Sequence, residues 1–159
     1  EAQESTMALR KALGRNRRQA TASVKKGEWK RSKFMGNEMN GKVLGVVGFG
    51  RIGREVSKRA QALQMTVIAY DPFIPAEVGA AMGVEMMSVA DLFTKADVIT
   101  VHTPLTPSTT HLITMEATAP MQDRCRLINF ARVGISDSPY PYLTLTSASV
   151  ACAALSSFH

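Results

Sequence analysis

Two rhythms of apolar residues alternate along this chain. Val43-Leu44-Gly45-Val46-Val47 is a short unbroken apolar run, the length of a strand buried on both faces. Ile52, Val56, Ala60 and Leu63 then recur three or four residues apart, which predicts a helix over 51–63. Thr66-Val67-Ile68-Ala69-Tyr70 predicts a second strand. Pro75 suits the first turn of a further helix over 75–82, which Gly83 stops. Residues 84–86 form a candidate short strand. Ser88 is placed to cap a helix over 89–93, with Asp91 in its first turn. Residues 97–102 and 126–131 read as two more strands. Strands alternating with helices at this pace specify parallel β-α units with right-handed crossovers, an α/β doubly wound sheet of the Rossmann type.

Before the first strand the pattern is different. Met7, Ala8, Leu9, Ala12 and Leu13 recur at helical spacing, which predicts a helix over 1–22. A polar connector over 27–41 follows, and its Trp29 and Phe34 are expected to anchor it by their large apolar surfaces. The chain therefore divides into a helix and basic linker over 1–41, a nucleotide-binding domain over 42–135, and a continuation of that domain over 136–159.

The junction of the first strand and its helix carries the chemistry. Gly48-Phe49-Gly50-Arg51-Ile52-Gly53 is Gly-x-Gly-x-x-Gly between a strand and a helix. The first glycine permits the tight turn. The second lets backbone approach a pyrophosphate, and the third lets the helix pack closely on the strand. The helix N-terminus adds free N–H groups and a positive dipole end. Asp71 closes the second strand, about 20 residues past the glycines, where a carboxylate accepts from ribose hydroxyls. The same carboxylate repels a 2′-phosphate. The following Pro72, Phe73 and Ile74 offer no cation to hold one, so NAD is the expected cofactor rather than NADP. Two further segments reach the same sheet edge. Thr103-Pro104-Leu105-Thr106-Pro107-Ser108-Thr109-Thr110 is a stiff, hydroxyl-rich loop after a strand end, and Arg132 follows another strand. A guanidinium there can grip a carboxylate in its planar fork.

Composition changes this picture little. The 159 residues are enough for one domain with a sizeable core, and the 45% hydrophobic and 20% charged content is ordinary for a globular chain. No apolar run approaches the length of a membrane span. The net charge of +6 is concentrated early, from Arg10 to Lys33. With Trp29 as the lone aromatic in that cluster, the basic stretch reads as a solvated face and linker rather than a nucleic-acid arm. Cys125 and Cys152 form neither a disulfide framework nor a metal motif, and the expected setting is reducing and cytoplasmic.

At these residues the chain resembles the D-isomer-specific 2-hydroxyacid dehydrogenases, and within them the phosphoglycerate dehydrogenase branch. The resemblance rests on Gln19-Ala20-Thr21-Ala22-Ser23, Lys33-Phe34-Met35-Gly36, Leu44-Gly45 through Val56, Tyr70-Asp71-Pro72, Val101-His102-Thr103-Pro104-Leu105 and Asn129-Phe130-Ala131-Arg132. It implies that the opening helix is a crossover from a substrate domain whose earlier part is absent. It implies that Gly48, Gly50, Arg51, Ile52 and Gly53 hold the pyrophosphate and Asp71 the ribose. Thr103 would line the cofactor loop, with Phe130, Ala131 and Arg132 near the nicotinamide. Arg132 matches the catalytic arginine that binds and polarises the 2-hydroxy or 2-keto acid. Such enzymes transfer hydride between that acid and NAD, while a His supported by a Glu exchanges the hydroxyl proton. A homodimer or higher homo-oligomer is implied for the full-length protein.

The sequence departs from the family pattern after Arg132. Val133 stands where the family has Gly, and Ser138 where it has Glu. Pro139 and Pro141 fall in an expected helix, which proline breaks. Ser156 replaces an Asp expected at the nicotinamide amide. The chain reaches His159 before the family's Glu and His arrive; His102 belongs to the loop motif as a structural residue, and His111 follows that loop. The expectation is an NAD-binding polypeptide that does not turn over substrate alone. Alternatives are a glyoxylate or hydroxypyruvate reductase of the same family, or a non-catalytic NAD-binding co-repressor-like protein.

Overall fold

The computed structural model describes residues 7, 17–29, 32–34, 38–104, 106–107, 109–110, 112–114, 117, 119–121, 125–129 and 150–155, with backbone alone for 17–19 and 150–155. Helix α1 (Arg17–Lys25) leads, through a short 3-10 turn at Ser32–Phe34, into strand β1 (Val43–Val47). There follow α2 (Arg51–Ala62), β2 (Thr66–Tyr70), α3 (Ala76–Ala80), β3 (Glu85–Met86), α4 (Val89–Lys95), β4 (Val98–Val101), β5 (Cys125–Asn129) and β6 (Val150–Leu155). The six strands pair in the order β3-β2-β1-β4-β5-β6, every pair parallel. The strand order reverses between β1 and β4, the topological switch point where open α/β sheets bind ligands.

Both faces of the sheet are covered, which is why β1 and β4 are apolar but for the buried Thr100. Leu44 and Val46 of β1 pack with Val56 and Ala60 of α2 on one side. Val47, one residue on, packs with Leu92 and Phe93 of α4 on the other. Gly45 lies on that second face, and a Cβ there would stand 2.6 Å from Leu92 Cδ2. Its missing side chain sets how closely α4 approaches the strand. Ser88 caps α4 as its sequence position predicts, with the Asp91 N–H donating to Ser88 Oγ at 3.1 Å. Ser88→Ala should lower stability by about 1 kcal/mol without touching NAD affinity, read from the urea midpoint and a binding titration.

The amino edge of the sheet is tied by Asp97. Its Oδ2 accepts from the Val43 N–H at 2.9 Å and its Oδ1 from Lys42 Nζ at 3.1 Å. Its backbone N–H donates to Val43 O, and its carbonyl accepts from the Arg126 N–H. One residue thus joins the starts of β1, β4 and β5 at the end away from the ligand edge. Cys125 begins β5 as a free, buried thiol, pushed up to about 12 chiefly by burial and then by the Asp97 charge.

Some expected boundaries move. The opening helix runs to Lys25 rather than 22. Helix α3 is shorter than 75–82, with Pro75 as its N-cap. Trp29 does not anchor the connector: its ring is 76% exposed, whereas Phe34 is half-buried. Val24, in the helix before it, is likewise exposed, at 53%. Among the described residues, no helix is long and apolar enough to cross a membrane.

Candidate functional site: a dinucleotide cleft at the switch point

The cleft is built where β1 ends. Its last hydrogen bonds run to both neighbours, from the Gly48 N–H to Tyr70 O and from the His102 N–H to Val47 O, each 2.8 Å. Gly48 then turns with φ +93°, and a Cβ there would lie 2.8–2.9 Å from the backbone of His102 and Thr103. No side chain fits in that conformation or that space. Gly53 is equally constrained, because a Cβ there would overlap Gly48 O. Gly50 differs. Its φ is −74°, and a Cβ would meet nothing within 4 Å. The turn and the packing of α2 need the outer two glycines. The middle one leaves open room beside the start of a helix.

That helix start is unfilled by side chains. Gly50 is the N-cap of α2 and supplies no side-chain cap. The first helical bond runs from the Arg54 N–H to Gly50 O at 3.0 Å, so the N–H groups of Arg51, Ile52 and Gly53 precede the ladder. Arg51 is exposed and Ile52 is 39% exposed, so both side chains stand at the solvent surface of this turn.

Asp71 lies one residue past β2 and faces the same turn. Its Oδ2 accepts from the Phe49 N–H at 2.9 Å, within the glycine segment. Its Oδ1 accepts from the Phe73 N–H at 2.9 Å. Each carboxylate oxygen has two acceptor sites, so each keeps one for a further donor. The Phe73 ring is 85% exposed beside it.

The β4 side supplies the other wall. Thr103 is buried against Gly48, and its Oγ1 has no hydrogen-bond partner among the described residues. Such an orphan costs about 1–3 kcal/mol, which a polar ligand group at this edge would relieve. His102 is a structural residue. Its Nε2 lies 2.9 Å from Thr100 Oγ1, and burial pushes its imidazole down to about 4, so it is neutral near pH 7. Phe130, Ala131, Arg132 and His111 lie outside the described residues. Strand β5 ends at Asn129, immediately before the first three. Sequence reading missed the hydrogen bond from Phe49 to Asp71, because nothing in residue type or spacing marks a bond between a turn amide and an acid on another strand.

These features define a nucleotide-binding α/β domain: an open phosphate cradle, an acid on the neighbouring strand and an unsatisfied hydroxyl at the switch point. Residues 7–159 match the family model described as the D-isomer specific 2-hydroxyacid dehydrogenase, NAD binding domain, and the chain belongs to that family. The D-3-phosphoglycerate dehydrogenase of Methanocaldococcus jannaschii is 48% identical over 156 residues, covering 98% of this chain and 30% of the relative. The Sus scrofa protein of that name is 47% identical over 157 residues, covering 99% and 30%. The chain thus spans about a third or less of the length of these relatives. Among solved structures, D-lactate dehydrogenase from Aquifex aeolicus, complexed with NAD and lactic acid, superposes with TM-score 0.92 at 31% identity. That match covers 99% of this chain and 47% of the other. NAD is the cofactor of this domain family, and the cradle, the acid and the hydroxyl fit it.

Proposed function

We propose that this chain is the cofactor-holding part of an NAD-dependent dehydrogenase that oxidises 3-phosphoglycerate to 3-phosphohydroxypyruvate. The observation that carries the cofactor half is Asp71, fixed by two backbone amides at the end of β2 and facing the glycine turn. Substrate choice rests on the 46–48% identity to several D-3-phosphoglycerate dehydrogenases across nearly the whole chain. Gly48, Gly50, Arg51, Ile52 and Gly53 hold the pyrophosphate, through backbone amides and the helix dipole. Asp71 accepts from the adenosine ribose diol. Thr103 lines the cofactor loop, and Phe130 and Ala131 lie near the nicotinamide. Arg132 grips the carboxylate of the hydroxy acid and polarises the reacting carbon's oxygen. Bound NAD supplies the hydride acceptor.

In this reading residues 42–135 form the NAD-binding domain, 136–159 continue it, and 1–41 connect it to a substrate domain. The complete enzyme is a homodimer or larger homo-oligomer. A second reading within the family, reduction of glyoxylate or hydroxypyruvate, is favoured by the glyoxylate reductase of Paecilomyes thermophila, 31% identical with a TM-score of 0.86.

The proposal is tested first by cofactor choice. Asp71→Ala should weaken NAD by about tenfold or more, the value of one or two charge-assisted hydrogen bonds. It should also narrow the preference over NADP, because repulsion of the 2′-phosphate goes with it. An unchanged NAD-to-NADP ratio in calorimetric titrations would place the ribose elsewhere. Turnover is the second test. His102 is half-buried and neutral against Thr100, and among the described residues no Glu is bonded to it, so it does not suit the proton-exchanging role. The purified 159-residue chain should yield no NADH from 3-phosphoglycerate. Sustained NADH production in a steady-state assay would refute that.

A further inference from the structure

We infer that Asp71 is also a positioning residue for the phosphate turn, clipping it into its binding shape before any nucleotide arrives. This deepens the cofactor reading and rests on it. Two chain segments meet at one carboxylate. Phe49, between the first two glycines, donates its N–H to Oδ2, and Phe73 donates its N–H to Oδ1. The Phe49 side chain is fully buried, and Ile74 packs against the same cluster of core residues. Both segments bridged by the carboxylate are therefore anchored in the core. The clip constrains the turn itself rather than two mobile ends.

The glycine turn needs such a constraint. Gly48 sits at φ +93°, and Gly50 has open space on the side where its Cβ would be. Glycines have more conformational freedom to lose than other residues, so an unclipped turn would sample shapes that aim its amides away from a pyrophosphate. Preorganising it moves that entropy cost from binding to folding. A carboxylate suits the task because it accepts from both amides at once and keeps a lone pair on each oxygen for the diol. The prediction that follows runs against simple electrostatics. Removing a negative charge near a phosphate site should by itself strengthen phosphate binding. Removing this one should weaken it.

The probe that separates the two roles is 2′,3′-dideoxyadenosine 5′-diphosphate, which keeps both phosphates and lacks the ribose diol. In the 159-residue chain, Asp71→Ala should weaken this probe by about tenfold, the loss of one charge-assisted bond in the cradle. Asp71→Asn, whose amide oxygen still accepts one N–H, should recover most of that loss while failing to restore NAD selectivity. Amide exchange gives a readout free of any ligand. The Phe49 N–H should exchange about tenfold faster in Asp71→Ala than in the wild type. Equal or tighter binding of the dideoxy probe by Asp71→Ala would overturn the clip. If the wild-type chain bound neither NAD nor the probe, the cofactor reading itself would fall. Phe49 exchange would then decide the clip alone: acceleration in Asp71→Ala, or in Asp71→Asn should the alanine variant not fold, upholds it, and unchanged exchange overturns it.

Discussion

An alanine at position 50 will leave the domain folded and remove most of its NAD affinity. Gly50 adopts φ −74°, which any residue can take, and a Cβ there would meet nothing within 4 Å. The gain from a stiffer unfolded chain and the loss of a favourable N-cap roughly offset, so stability should change by no more than about 1 kcal/mol. The open space is where a phosphate must approach the amides. Filling it should weaken NAD by about two orders of magnitude, the worth of one or two charge-assisted hydrogen bonds. Gly48→Ala is the control with the opposite profile. Its Cβ would press into the backbone of His102 and Thr103 from a left-handed conformation, so the fold itself should lose about 3 kcal/mol or more. Urea midpoints and NAD titrations on the two variants make the comparison. Unaltered affinity in Gly50→Ala would mean that the pyrophosphate lies elsewhere.

Acid should destabilise the domain through His102, well before the bulk of the carboxylates titrate. The imidazole is held down to about 4 by burial, against about 6.5 in an unfolded chain. Its neutral form fits the folded state, so the stability it contributes is complete above pH 6.5. That stability is lost as pH falls toward 4, because the unfolded chain takes up the proton first. Between pH 7.5 and 5 the loss should be about 2 kcal/mol. His102→Gln removes the titrating group and should flatten that part of the profile. The glutamine variant will also be less stable near neutrality if it fails to replace the contact with Thr100 Oγ1, so the slope, and not the absolute value, is the diagnostic. Equal slopes in urea denaturation across pH 5–7.5 would remove His102 as the cause.

Strands β1 and β2 were legible to the residue, and the reason is physical. Each is an apolar run bounded by turn residues, and burial on both faces leaves no competing pattern. Helix α2 ends one residue early because Leu63 already leaves helical geometry and Gln64 reverses the chain with φ 60°. The strand expected from Val84 begins at Glu85, since the Val84 N–H donates to Gly79 O instead of a ladder partner. Helix α4 runs two residues past Phe93 because Thr94 and Lys95 still continue the helix before Ala96 turns extended. Trp29 is 76% exposed although it is large and apolar, because burial depends on which surfaces the fold brings to a ring and not on the residue's own size. The glycine segment and Asp71 were found by spacing. The hydrogen bonds that join them, and the unsatisfied Thr103 hydroxyl, required coordinates. Such contacts depend on where two strand ends meet rather than on any local pattern.

Cys125 has a consequence for the surroundings this sheet can tolerate. Oxidation and disulfide exchange proceed through the thiolate, and a thiol pushed up to about 12 and sealed at the start of β5 supplies almost none of it near neutral pH. The residue behaves as a small hydrocarbon. Its place in the core therefore rests on packing rather than on any thiol chemistry.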